Sequence, residues 1–371
     1  MRTALFLPLS LLLPLSLLLP LCLVLAVSSL ADEPDARFSR WDKNNDGKLS
    51  REELPAGIRG NFDAADADGD GFISVAEDLR FRTRGRQRDK QQGEKQQRTL
   101  RLPPGTKIQR DIAYVEDGHE RQKLDLYVPA EGSDFPLVIW VHGGAWRMGS
   151  KENCPALPLL EKGFAVASIN YRLSQHAIFP AQINDCKAAV RWLRKNAKQN
   201  RLDSNNFGVW GSSAGGHLVA LLGTSGDVAE LELDDANLKV SSRVQAVCDY
   251  FGPTDFLLMN KQSGDAGKID HDAANSPESS LIGGAIQNNK DKVARANPIT
   301  YVSKDDPPIL IVHGDKDQLV SVQQSRVFFD SLQSSGVESR LHIVAGAGHG
   351  RFQDPQVSAM VFKFFFDKLK R

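Results

Sequence analysis

Residues 207–222 read FGVWGSSAGGHLVALL, and the fold turns on them. Phe207 to Trp210 is short, apolar and β-prone, while from Ala214 onward apolar residues continue at helical length as far as Gly223. Between the two lies Gly211-Ser212-Ser213-Ala214-Gly215, a Gly-x-Ser-x-Gly frame with Ser212 in the variable slot and Ser213 at the centre. A strand, a sharp turn and a helix at that spacing thrust the central side chain out of the sheet, and glycines flank it because the turn tolerates no bulk there. Ser213 is therefore the candidate nucleophile. A serine hydroxyl attacks poorly until a histidine takes its proton and a carboxylate steadies the imidazolium. The rest of the chain must supply both.

Downstream, LIVHGDKDQLV follows an apolar strand and carries Asp315 and Asp317, and GAGHG near the end holds His349 between glycines. Upstream, PLVIWV runs into His142-Gly143-Gly144-Ala145-Trp146, where glycines let backbone N–H groups approach a ligand closely. Those of Gly143 and Gly144, with that of Ala214, are candidates to hold the negative oxygen of a tetrahedral intermediate. From Ile108 on, β and helical patterns alternate. RDIAYV, KLDLYVP, FAVASINY, QAVCDYFG, PPILIVHGD and SRLHIVAG suit strands, whereas residues 181–200 and VSAMVFKFFFDKL suit helices. The pattern predicts an α/β domain over 106–371 with a mainly parallel central sheet and its chemistry at strand ends. Between Pro253 and Pro298 the alternation stops, so an insertion or cap is expected over 253–298, without a long amphipathic lid.

The order Ser, Asp, His is that of α/β-hydrolases. The chain from about Ile108 to Arg371 resembles that superfamily, and within it the esterases of the acetyl-xylan and feruloyl type and the related hormone-sensitive-lipase-like carboxylesterases. LDLYVP, VHGGAW, INYRLS, FPAQINDCKAAVRWLRKNA, GVWGSSAGGHLVALL, DYFGPTDF, LIVHGDKDQLV and GAGHG carry the likeness. The resemblance implies an α/β-hydrolase fold with Ser213 as nucleophile, Asp317 as acid, His349 as base, and Gly143, Gly144 and Ala214 as oxyanion donors. Asp317 fills the second acidic slot of HGDKDQLV, although Ser321 stands where such proteins often have proline. Asp185 and Asp203 also match family positions, in structural roles. A serine carboxylesterase acting on short-chain or aromatic acyl esters of small molecules or polysaccharides is the implied function. A peptidase or lipase of the same fold, or a calcium-dependent binding protein that has lost catalysis, are the alternatives.

Two twelve-residue segments, DKNNDGKLSREE from Asp42 and DADGDGFISVAE from Asp66, stand near the other end. Each has oxygen side chains at positions 1, 3, 5 and 9, glycine at 6, an apolar residue at 8 and glutamate at 12, the ligand spacing of a calcium loop. The ligands would be Asp42, Asn44, Asp46, Ser50 and Glu53, then Asp66, Asp68, Asp70, Ser74 and Glu77. Lys48 and Phe72 at position 7 would offer only their carbonyls. Leu49 and Ile73 suit a two-stranded bridge between the loops. The pair resembles an EF-hand pair over 32–81, with short connecting helices because only residues 54–65 separate the loops, and it implies bound Ca²⁺ remote from catalysis.

Residues 82–105, basic and without apolar periodicity, read as a linker. Leu5 to Val27 is a leucine-rich run behind Arg2, and Ser29 and Ala31 suit cleavage after Ala31. Residues 1–31 therefore read as an export signal, which makes the protein secreted or periplasmic. An uncleaved run would instead anchor it in a membrane. Across 371 residues the formal net charge is zero, which offers nothing to a nucleic-acid partner. With Cys22 inside the signal, Cys154, Cys186 and Cys248 remain, too few for a disulfide scaffold and expected as ordinary buried cysteines, one bridge and one free thiol being the alternative.

Overall fold

The computed structural model describes residues 36–83 and 102–370, apart from 227, 234–236, 238, 351 and 353. The export signal and most of the linker lie outside the described residues. Among those described, no helix is long and apolar enough to cross a membrane. The chain divides into two compact units, Met1–Arg86 and Gln87–Arg371, at a point inside the stretch read as a linker.

In the first unit, the two-residue strands Lys48–Leu49 and Ile73–Ser74 pair antiparallel, with Leu49 opposite Ile73 as their position-8 spacing requires. The connection holds only a 3₁₀ turn, Ala56–Asn61, and a single helical turn, Phe62–Ala65. Phe38, Leu49, Leu54, Phe62, Ala65 and Ile73 bury one another in a small core. Residues 75–83 after the second loop are helical, and Phe81 among them packs on that core.

Among the described residues of the second unit, eight strands form one sheet: β1 (Lys107–Ala113), β2 (Lys123–Val128), β3 (Phe135–Val141), β4 (Ala165–Ile169), β5 (Leu202–Ser212), β6 (Ala246–Tyr250), β7 (Ile309–Gly314) and β8 (Ser339–Val344). Their spatial order is β8-β7-β6-β5-β3-β4-β2-β1. From β4 to β8 every pairing is parallel, and only the β1–β2 and β2–β4 pairs are antiparallel. This is the mainly parallel α/β sheet expected. Strand side chains alternate between its faces. Leu137, Ile139 and Val141 join helices α1 (Ala181–Lys195), α2 (Ala214–Thr224) and α3 (Val322–Ser334) on one face. Val138 and Trp140 join α4 (Pro355–Leu369) on the other, through Val357, Val361 and Phe365. Covered on both faces, the central strands read as continuous apolar runs. β1 begins three residues earlier than RDIAYV suggested, since Lys107, Ile108 and Gln109 already pair with Val128, Tyr127 and Leu126 of β2, ahead of a register slip between Gln109 and Ile112. Cys154, Cys186 and Cys248 are buried free thiols.

The segment between β6 and β7 holds short helices, Met259–Ser263, Pro277–Ile282 and Lys290–Ala296. Phe256, Leu281, Ile282, Ile286 and Val293 bury them on the α2 face of the sheet. Asp185, in the second turn of α1, accepts from the Arg172 backbone and guanidinium and from Gln122, and Asp203 accepts the Asn205 N–H and the Asn206 side-chain amide within β5. Both carboxylates are structural ties.

Candidate active site

β5 ends at Ser212, and Ser213 makes the turn into α2 at φ 54°, ψ −121°. A non-glycine residue is held at such an angle only where its surroundings over-determine it. Here they do. The Ser213 N–H donates to the Tyr250 carbonyl at 2.8 Å, and a Cβ on Gly215 would stand 2.1 Å from the Val141 carbonyl oxygen. β3 and α2 therefore close on the turn from both sides, and the Ser213 hydroxyl projects from the strand ends.

The loop after β8 brings His349 to it. His349 Nε2 lies 2.9 Å from Ser213 Oγ, and Nδ1 lies 2.6 Å from Asp317 Oδ2. The Asp317 side chain is fully buried, and its other oxygen accepts the N–H groups of Leu319 at 2.8 Å and Val320 at 2.9 Å. Burial alone would raise its pKa, but hydrogen bonds from His313 and His349, with the backbone donors, hold the carboxyl well below the usual carboxylate range. It is therefore ionised, so Nδ1 of His349 carries the proton and Nε2 is free to accept one from Ser213. Asp315 is exposed and instead holds the turn at Gly346, whose N–H it accepts at 2.7 Å. Of the two aspartates in HGDKDQLV, the structure brings only Asp317 to the histidine.

Beside the serine lies the turn after β3. A Cβ built on Gly143 would stand 3.3 Å from the Ser213 Cβ and 2.7 Å from the Ser212 carbonyl oxygen, so only glycine allows this approach. Gly144 adopts φ 114°. Among the described residues, no loop or turn carbonyl takes the N–H of Gly143, Gly144 or Ala214. Three unspent donors thus border the nucleophile.

Two supports escape the sequence reading. His313 is buried, with Nε2 3.2 Å from Asp317 Oδ2 and 2.9 Å from the Val320 carbonyl, and Nδ1 2.7 Å from Ser325 Oγ. Phe251 sets its ring edge-to-face with His349 at 4.7 Å, and Phe352 meets Phe251 edge-to-face at 5.6 Å, forming an aromatic wall on the histidine side. His313 stands in the HGD stretch, yet nothing in its spacing told a second donor from a core histidine. Phe251 owes its place to a positive φ of 43°, which has no sequence signature.

Residues 124–332 match the BD-FAE family, which is more than half of the chain. The chain belongs to the BD-FAE family. Residues 35–55 and 61–77 match the EF hand. Esterase LipQ of Mycobacterium tuberculosis is 32% identical over 233 residues, covering 61% of this chain, and the chain spans 53% of that relative. A truncated carbohydrate esterase from gut microbiota has 34% identity and a TM-score of 0.67, with 71% of this chain and 97% of that one covered. An acetyl ester-xyloside bifunctional hydrolase from Caldicellulosiruptor lactoaceticus has 25% identity and a TM-score of 0.55, covering 66% and 88%.

In the EF-hand unit, Asp66, Asp68 and Asp70 bring carboxylate oxygens within 4.8 Å of one another. Asp66 already accepts the Gly69, Asp70 and Gly71 N–H groups, and Asp42 does the same for Asp46 and Gly47, so each loop is wound around its first residue. Glu77 accepts from the Ser74 N–H and hydroxyl and from Ala67 and Asp68, which hold its pKa near 2. An all-oxygen, carboxylate-rich set of this kind fits a hard divalent cation. Lys48, expected to offer only a carbonyl, also reaches Asp70 of the second loop with its ammonium, at 3.1 Å.

Proposed function

We propose that this protein is a serine carboxylesterase that removes acetyl or feruloyl groups from polysaccharide through an acyl-enzyme. The observation that carries the reading is His349 bridging Ser213 and Asp317 at 2.9 Å and 2.6 Å. Ser213 Oγ attacks the ester carbonyl carbon as its proton passes to His349 Nε2. The carbonyl oxygen becomes an oxyanion beside the N–H groups of Gly143, Gly144 and Ala214. Collapse breaks the bond to the alcohol oxygen, which takes the proton from His349. A water then repeats the sequence, giving the free acid and restoring Ser213. Asp317 stays ionised throughout and steadies the imidazolium.

The carbohydrate-esterase and acetyl-ester neighbours support a sugar-borne substrate. The short helices between β6 and β7 offer no broad apolar lid, which favours short acyl chains over oil-phase lipid. Export follows from the leucine-rich run and the Ala31 cleavage site. Calcium in the EF-hand unit would be held by Asp42, Asn44, Asp46, Ser50 and Glu53 and by Asp66, Asp68, Asp70, Ser74 and Glu77, with the Lys48 and Phe72 carbonyls, and would supply cross-linking of the loops, not chemistry. The deciding measurement is turnover of acetyl, butyryl and octanoyl p-nitrophenyl esters, acetylated xylan and a feruloyl ester, with Ser213→Ala as blank. Acetyl or feruloyl release from carbohydrate above all others is expected. Preference for octanoate would make it lipase-like, and amide cleavage alone would make it a peptidase.

A further inference from the structure

Two consecutive peptide groups form the glycine turn beside Ser213, and each is gripped by its carbonyl. The His142 carbonyl accepts the Tyr171 hydroxyl at 3.0 Å. The Gly143 carbonyl lies 2.7 Å from His142 Nδ1. A peptide is planar and trans, so its N–H points opposite to its C=O. Fixing the His142 carbonyl fixes the Gly143 N–H, and fixing the Gly143 carbonyl fixes the Gly144 N–H, away from the imidazole.

The second grip works only if Nδ1 of His142 carries a proton. A neutral imidazole has one N–H, and the two tautomers differ little in intrinsic energy, so something must choose. Arg121 chooses. Its guanidinium lies 3.2 Å from His142 Nε2, and an arginine donates but never accepts, so Nε2 must present its lone pair and Nδ1 the hydrogen. Arg121 is itself held by the Tyr171 carbonyl at 2.8 Å and the Gly149 carbonyl at 2.9 Å. The His142 ring is buried and stacks on Tyr171 at 4.4 Å and 15°, which fixes the plane of the ring. Burial also keeps it neutral, its pKa drawn down to about 3, so that protonation does not supply the Nδ1 hydrogen by another route at working pH.

We infer that Arg121, 21 residues before the turn and on a different loop, is a positioning residue for the oxyanion hole, acting by setting the His142 tautomer and thereby the direction of the Gly144 N–H. With the Nε2–H tautomer, the Nδ1 lone pair would face the Gly143 carbonyl oxygen, and the repulsion would rotate that peptide and its N–H out of register. The inference rests on the serine-esterase reading for its consequence in turnover, but its structural content is independent of it.

The experiment has two arms on the full chain. Long-range ¹H–¹⁵N correlation on ¹⁵N-histidine-labelled protein, with His142 assigned by its absence in His142→Asn, reads the tautomer directly. Nδ1–H is expected in the natural protein and a shift toward Nε2–H in Arg121→Met. Nε2–H in the natural protein overturns the proposal whatever the activity. In the second arm, Arg121→Met is expected to lower kcat on the best ester by about tenfold to a hundredfold, with KM within about twofold, since an oxyanion donor acts in the transition state. Arg121→Lys, which keeps one ammonium donor, should recover part of that loss and stands in if the methionine variant does not fold. An unchanged kcat, or a loss carried by KM, overturns it. Absence of ester turnover in the natural protein would sink the esterase reading and leave the tautomer to decide this one.

Discussion

At the scale of single residues, the site separates pairs that the sequence offers as near equals. Ser213 reaches His349 while Ser212 does not, so Ser213→Ala should abolish ester turnover and Ser212→Ala leave most of it. Labelling with an organophosphonate followed by peptide mapping checks this, and the label should sit on Ser213 alone. Asp317→Asn should cut kcat by about four orders of magnitude, the usual cost of losing the orienting carboxylate. Asp315→Asn should cost little, because Asp315 only holds the Gly346 turn. Asp249 allows a prediction about pH. It is wholly buried at the end of β6, one oxygen accepts the Gly252 N–H at 2.9 Å, the other has no partner, and burial lifts its pKa from 3.8 to about 7. The folded state then binds its proton more tightly than the unfolded chain, so stability falls as pH rises from about 4 to 7. Asp249→Asn has no proton to lose. Its stability relative to the natural protein, read from denaturant unfolding at each pH, should rise between pH 5 and pH 8, by an amount on the order of 1–4 kcal/mol at most. A constant difference across that range would contradict the assignment. The nucleophile, acid, base and glycine turn were legible because each has a fixed local spacing. Arg121, His313, Phe251 and Asp249 were not, because their partners lie anywhere from 3 to 101 residues away and their residue types are common in any fold.

At the scale of elements, what decides the site is how closely the end of β3 and the start of α2 approach. Gly215→Ala places a Cβ 2.1 Å from the Val141 carbonyl oxygen, and backbone atoms cannot swing aside as a side chain can. Overpacking of this kind costs about 1–3 kcal/mol or more. Lower melting temperature together with lost turnover is expected, while Gly350→Ala, with nothing within 4 Å of its added Cβ, should change neither. Thermal melts and initial rates on the two variants make the comparison. The same packing explains which elements could be read in advance. Strands covered on both faces gave apolar runs, and α1 and α4 gave helical intervals. β5, by contrast, starts at Leu202, five residues before the apolar stretch, because polar Asp203 to Asn206 also lie in the strand. The short helices between β6 and β7 had no period to find. They are held by tertiary ties such as Arg147 to the Asn275 carbonyl and His217 Nε2 to the Ala296 carbonyl at 2.7 Å.

At the scale of the whole molecule, the two units keep separate cores. Every residue of the candidate active site and its supports falls between Arg121 and Phe352, and the calcium-loop residues between Asp42 and Glu77 have their own small core. Their tandem spacing made this unit the most legible part of the chain, down to the Leu49–Ile73 pairing. The first loop supplies three carboxylates, Asp42, Asp46 and Glu53, with neutral Asn44 at position 3. The second supplies four, Asp66, Asp68, Asp70 and Glu77, and three of these already converge within 4.8 Å. Converged anions repel until a cation arrives, so the second loop gains more from calcium and should fill first, with dissociation constants on the order of 10⁻⁵ to 10⁻³ M, which would suit the export proposed above. Isothermal titration of Glu77→Gln should show the tighter event lost, and of Glu53→Gln the weaker. Removing residues 32–100, or chelating calcium from the intact protein, should leave turnover of a small soluble ester within about twofold, because among the described residues no catalytic atom or support belongs to that unit. Only the melting of the EF-hand unit should move on chelation, since a ligand that binds the folded state alone raises its stability by mass action. Turnover that collapses on chelation would show calcium acting at the serine site and would overturn this division.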